Sequence, residues 1–99
     1  MSLHKGKHMT HVLRAHGLFD TAIEAVLRFQ VRLVDDPHLP ERLDVLCNKL
    51  DRERCLGTAD RELLIDCVTA RKAALNVWRP TPLAQRVMDE CDKIIELTA

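Results

Sequence analysis

Tyrosine is absent from this chain of 99 residues, and its aromatic complement is one tryptophan, Trp78, and two phenylalanines, Phe19 and Phe29. So few rings offer little platform on which nucleic-acid bases could stack. Glycine and proline are nearly as scarce, at three and four residues, which argues against both a disordered chain and a loop-rich all-β fold. No apolar run approaches the ~20 residues of a membrane span. The lysines near the N-terminus have no apolar stretch behind them of the kind a secretory signal needs. The four cysteines, Cys47, Cys55, Cys67 and Cys91, include no CxxC pair. In a chain without an export signal they are expected to be free thiols in a reducing cytoplasm.

Catalytic motifs are missing too. There is no GxSxG, no phosphate-cradling glycine loop and no HExxH. The Glu-x-x-His pairs that a di-iron bundle carries on two helices do not occur. Asp35-Asp36 and Asp89-Glu90 are adjacent acids. On a helix neighbours point about 100° apart, so neither pair converges on a substrate. The expectation is a protein that is not an enzyme.

What is present is helix-forming and unevenly charged. The formal net charge is zero. Residues 1–16 nevertheless carry Lys5, Lys7 and Arg14 against no acid, and the remaining 83 residues hold 12 basic and 15 acidic side chains. The stretch HKGKHMTHVLRAH, residues 4–16, also holds four of the five histidines. Residues 1–8 are expected to be a flexible basic and His-rich N-terminus, with one domain over 9–99.

Punctuation divides that domain. Asp36-Pro37-His38-Leu39-Pro40 breaks one helix. Gly57 is placed as the glycine that ends a second, and Thr58 as the N-cap of a third. Thr81-Pro82 supplies an N-cap and an N1 proline. Four helical segments follow, near 9–34, 40–56, 59–78 and 82–98, the first of which either runs through Gly17 or breaks there. The predicted class is all-α, a four-helix antiparallel bundle.

Helical faces refine this. In the second segment Leu39, Leu43, Leu46, Cys47 and Leu50 share one narrow stripe. The third has a broad face of Leu63, Leu64, Cys67, Val68, Ala70, Ala74, Leu75, Val77 and Trp78, with Arg71 projecting near its centre. Arg71 is read either as a snorkelling side chain or as an ion-pair partner across an interface. The fourth is half apolar, with Asp89 and Lys93 spaced as an i,i+4 pair. In the first, Thr21 and Glu24 have the spacing of a capping box. Only Glu24, Arg28, Arg32, Asp35 and Gln30 interrupt an apolar arc of roughly 240°. A four-helix monomer would struggle to cover so wide an arc, so self-association is expected through the first helix near Leu27, Val31 and Val34, with Arg71 as a polar contact.

Two other readings compete. His4, His8 and His11 fall at i, i+4 and i+7, a spacing that on a helix suits zinc or nickel, although no nearby Asp, Glu or Cys completes the set. The second and third segments, joined by Leu56-Gly57-Thr58, superficially resemble a helix-turn-helix. Two of the four residues opening its recognition helix, Asp60 and Glu62, are acidic and would repel phosphate. The sequence therefore points first to a cytoplasmic, homodimeric, non-enzymatic protein–protein interaction module of adaptor, regulator or immunity type. A metal-responsive or nucleic-acid-binding regulator is the alternative.

Overall fold

A computed structural model describes residues 9–29 and 36–99 of the chain, and among them the structure is all-helical. Five helices follow in order: α1 (Met9–Ala15), α2 (Phe19–Leu27), α3 (Leu39–Asp51), α4 (Thr58–Leu75) and α5 (Pro82–Thr98). No helix is long and apolar enough to cross a membrane among the described residues.

The expected first helix is two helices, divided at Gly17. The chain turns there with Gly17 at φ +69°. Leu18 N–H donates to the Leu13 carbonyl at 2.7 Å, and Gly17 N–H to that of Arg14 at 3.0 Å. That pair of bonds is a Schellman stop, which satisfies carbonyls that a helix end leaves open. Glycine takes this conformation without the steric cost of a Cβ. The Arg14 guanidinium lies 4.2 Å from the centre of the Phe19 ring and ties the corner together. Downstream, α2 ends at Leu27 and not at residue 34. Val31 and Val34, two of the expected interface residues, lie outside the described residues.

Splitting the rod goes far towards covering its apolar arc. α2 packs against all four other helices, and α1, folded back by the turn, packs on α2, α3 and α5. Ala22, Ala25 and Val26 are fully buried as a result, and Ile23 is half-buried. α1 is fastened to the far end of α3 by two contacts. The buried Thr10 hydroxyl donates to the Leu50 carbonyl at 2.7 Å, and His11 Nε2 sits 3.0 Å from Glu53 Oε1.

The second and third helices also end differently from expectation. α3 stops at Asp51, not near 56, and Gly57 is not its terminating glycine. Glu53, at φ +55°, occupies that left-handed position, with Arg54 N–H bonded to the Lys49 carbonyl at 2.8 Å. Gly57 is instead the N-cap of α4, in extended backbone, and Thr58 is the first helical residue. The Asp60 carboxylate closes this start by accepting from Gly57 N–H at 3.1 Å. At α5 the expected signals hold. Thr81 Oγ1 accepts from Ala84 N–H at 3.1 Å, ahead of Pro82.

The core is built from the α3 stripe (Leu39, Leu43, Leu46, Leu50), the first half of α4 (Leu63, Leu64, Cys67, Val68) and the second half of α5 (Met88, Cys91, Ile94). α4 and α5 form the most extensive helix pair. Their apolar faces continue past the cover that α2 and α3 provide. α4 ends at Leu75, and the rest of its predicted face, Val77 and Trp78, lies in the connection to α5 with both side chains exposed. Leu83, on the first turn of α5, is exposed as well.

Candidate interaction site

The boundary between covered and uncovered hairpin is marked by Arg71. Its side chain is only 18% exposed, and Nη2 donates to Glu24 Oε1 of α2 at 3.0 Å. Its Nε is buried without a hydrogen-bond partner. The guanidinium is thus mostly covered and is paired within the chain to α2. Glu24 also lies at ion-pair distance from Arg28, 3.4 Å, and because α2 begins at Phe19, Thr21 falls inside the helix and not at the capping position expected for it. The Thr21 hydroxyl donates instead to Glu90 of α5.

Beside this pair lies a groove of about 430 Å³ between α2 and the α4–α5 corner. One wall is polar and comes from α2: Asp20, Thr21 and Glu24. From α4 and α5 come Arg71, Leu75, Leu83, Ala84 and Val87. Leu27, expected as an interface residue, lies one helical turn beyond Glu24 and is 70% exposed. Trp78 is 88% exposed, Leu83 66% and Val77 58%. Single exposed hydrophobic side chains are ordinary on any surface. Of these four, Leu83 lines the groove itself, and Val77 and Trp78 stand in the segment between Leu75 and Thr81, both of which also line it. Sequence reasoning put Val77 and Trp78 on a packed face and so missed them as site residues. The signal available was the length of that face, which outruns the helices that could cover it.

The expected metal ligands divide between the two parts of the chain. His4 and His8 lie outside the described residues, and His11 faces Glu53. Among the described residues no cluster of three or more His, Cys, Asp or Glu side chains is arranged to hold a metal ion. His16 is an exposed residue of the α1–α2 turn.

Three of the four cysteines are packed, wholly or in part. Cys67 and Cys91 are fully buried, Cys47 half-buried and Cys55 exposed. Burial, reinforced by the charge of Asp66, pushes the Cys67 thiol up to about 12. Burial also raises Cys91 against the opposing pull of Arg71, and raises Cys47 together with Asp51 and Asp44. A thiol held protonated is a poor nucleophile.

A second depression, at the end of α3, is lined by Val45, Asn48, Lys49, Arg52, Arg54 and Cys55. The acids that interleave with these residues in sequence do not line it, because the left-handed turn at Glu53 sends that carboxylate to His11. Lys49 is engaged by Asp60 at 2.6 Å. Burial alone would raise the Asp60 carboxyl, but the hydrogen bonds from Lys49 and Gly57 and the charges of Lys49 and Arg42 outweigh it and hold it below the usual carboxylate range.

Comparison of the chain with protein-family models, with characterised proteins and with solved structures found no match.

Proposed function

We propose that the protein is a non-enzymatic helical interaction module, of adaptor, regulator or immunity type, that works as a homodimer. The supporting observation is a set of four large apolar side chains, Leu27, Val77, Trp78 and Leu83, each more than half exposed, of which Leu83 lines the groove. Keeping such side chains in water forgoes about 1.5–3 kcal/mol for each that could be fully buried. That is a large share of a total stability of about 5–15 kcal/mol. An interface recovers it. The expected contact through Leu27 and Arg71 is kept in this reading, and the exposed hairpin corner is added to it.

Light scattering on the purified chain tests this. A mass of two chains at micromolar concentration is expected, reduced to one chain by Leu83→Asp or Leu27→Asp without loss of helical content. A single-chain mass for the unmodified protein at every concentration defeats the reading.

The depression bearing Arg52 and Arg54 favours a second reading, a regulator that contacts phosphate. Its test is a retarded duplex whose affinity falls steeply with salt; no retardation at low salt removes it.

A further inference from the structure

Resting on the homodimer reading, we propose that the groove between α2 and the α4–α5 corner is filled by Trp78 of a second copy of this chain, with Arg79 of that copy paired to Asp20. The interface is thereby isologous, each copy giving one tryptophan and receiving one.

Three observations converge on this occupant. The first is shape and chemistry. The groove is lined by the apolar Leu75, Leu83, Ala84 and Val87 of α4 and α5 and by the polar Asp20, Thr21 and Glu24 of α2. An indole is suited to such a cleft, being a large apolar body with one N–H donor, and Glu24 and Thr21 offer acceptors on the polar side. The second is placement. Trp78 lies in the segment between Leu75 and Thr81, both of which line the groove, yet it stands out from its own chain at 88% exposure. A protrusion next to a matching hollow is the arrangement that a two-fold axis can close, because the same patch serves both subunits. Tryptophan and arginine are also the residue types most enriched at energetically dominant interface positions.

The third observation is charge. Most acidic and basic side chains along α2 and α5 are already engaged: Glu24 with Arg71 and Arg28, Glu90 with Arg86 and Thr21, Asp92 with Lys72. Asp20 on the groove wall and Arg79 beside Trp78 are both exposed, and among the described residues neither side chain is engaged in an ion pair. The groove's uncommitted charge is negative, and the residue following the protruding indole is positive. An occupant that brings an apolar side chain and an adjacent cation satisfies both walls at once, and the chain carries that pair on its own rim.

Because Trp78 is the chain's sole tryptophan, its fluorescence reads the occupancy of the groove directly. On dilution from high micromolar to nanomolar concentration, emission is expected to shift to longer wavelength and acrylamide quenching to rise several-fold, in step with a fall from two chains to one in sedimentation. Trp78→Ala alters a side chain that is 88% exposed, so it is expected to keep the helical content and melting curve while abolishing association. Arg79→Asp and Asp20→Arg are each expected to weaken the dimer about tenfold, and the two together to restore it. A dimer in which Trp78 is as readily quenched as in the monomer overturns the inference but leaves the homodimer reading standing, and so does association that survives Trp78→Ala. Failure of the double exchange to restore association overturns the proposed arrangement likewise. A single-chain mass under all conditions removes both.

Discussion

Asp60 joins two helices: it caps the start of α4 through Gly57 and anchors Lys49 of α3. Its carboxyl is held low in the folded state. The stability it contributes is therefore fully present above the unfolded value of about 4 and is lost as pH falls through the lower folded value. Asp60→Asn should lower stability near neutrality and flatten the decline below about pH 4, as followed by urea titrations across that range. The thiols give a second residue-scale test. Cys55 should react first with a thiol reagent at mildly alkaline pH and Cys47 more slowly. Cys67 and Cys91 should react only as the chain opens, since burial both shields them and keeps them protonated. Rapid modification of Cys67 in the folded protein would contradict its place in the core.

At the scale of elements, two left-handed positions set where helices stop, and they predict mutations of opposite sign. Gly17→Ala places a Cβ on a residue at φ +69°, with no atom within 4 Å to clash. The cost is therefore backbone strain alone, about 1–2 kcal/mol. Glu53→Gly relieves the same strain at φ +55° and should raise stability by up to about 1 kcal/mol, less the small worth of the exposed His11 contact. Chemical denaturation of both variants checks the pair. Thr81→Ala should cost about 1 kcal/mol through the lost cap of α5.

These stops also show how much of the architecture was legible beforehand. The apolar stripe of α3 and the Thr81-Pro82 start follow from periodicity and capping chemistry and are found in place, while the stripe of α5 is buried wholly or in part from Met88 onward and leaves Leu83 exposed. The break at Gly17 was an open alternative, because a glycine inside an apolar run is compatible with either outcome. The stop at Glu53 was not legible, since a glutamate in left-handed backbone bears no mark in sequence. Reading Gly57 as the terminator lengthened α3 by a turn. On α5 the expected Asp89–Lys93 pair gives way to Gln85–Asp89 and Lys93–Glu96, because several i,i+3 and i,i+4 partners are about equally favourable on an exposed face. At the site, the crowded apolar face near Arg71 was visible, but its partner Glu24 was not. Which carboxylate meets an arginine across 47 positions depends on tertiary packing.

For the molecule as a whole, shape follows from a mismatch of lengths. α4 and α5, of 18 and 17 residues, run about 26 Å each. They are covered by the shorter α1, α2 and α3, of 7, 9 and 13 residues. The result measures 45 × 33 × 20 Å, with the hairpin corner carrying Trp78 and Leu83 at the uncovered end. Leu64→Ala, at the fully buried centre of the covered half, should cost about 2–5 kcal/mol, whereas Trp78→Ala should leave the monomer's melting unchanged. Sedimentation equilibrium of the unmodified chain across micromolar concentrations tests the central claim most directly. A reversible approach to twice the 11.3 kDa of one chain is the predicted result, and a constant mass of 11.3 kDa at every concentration would contradict it.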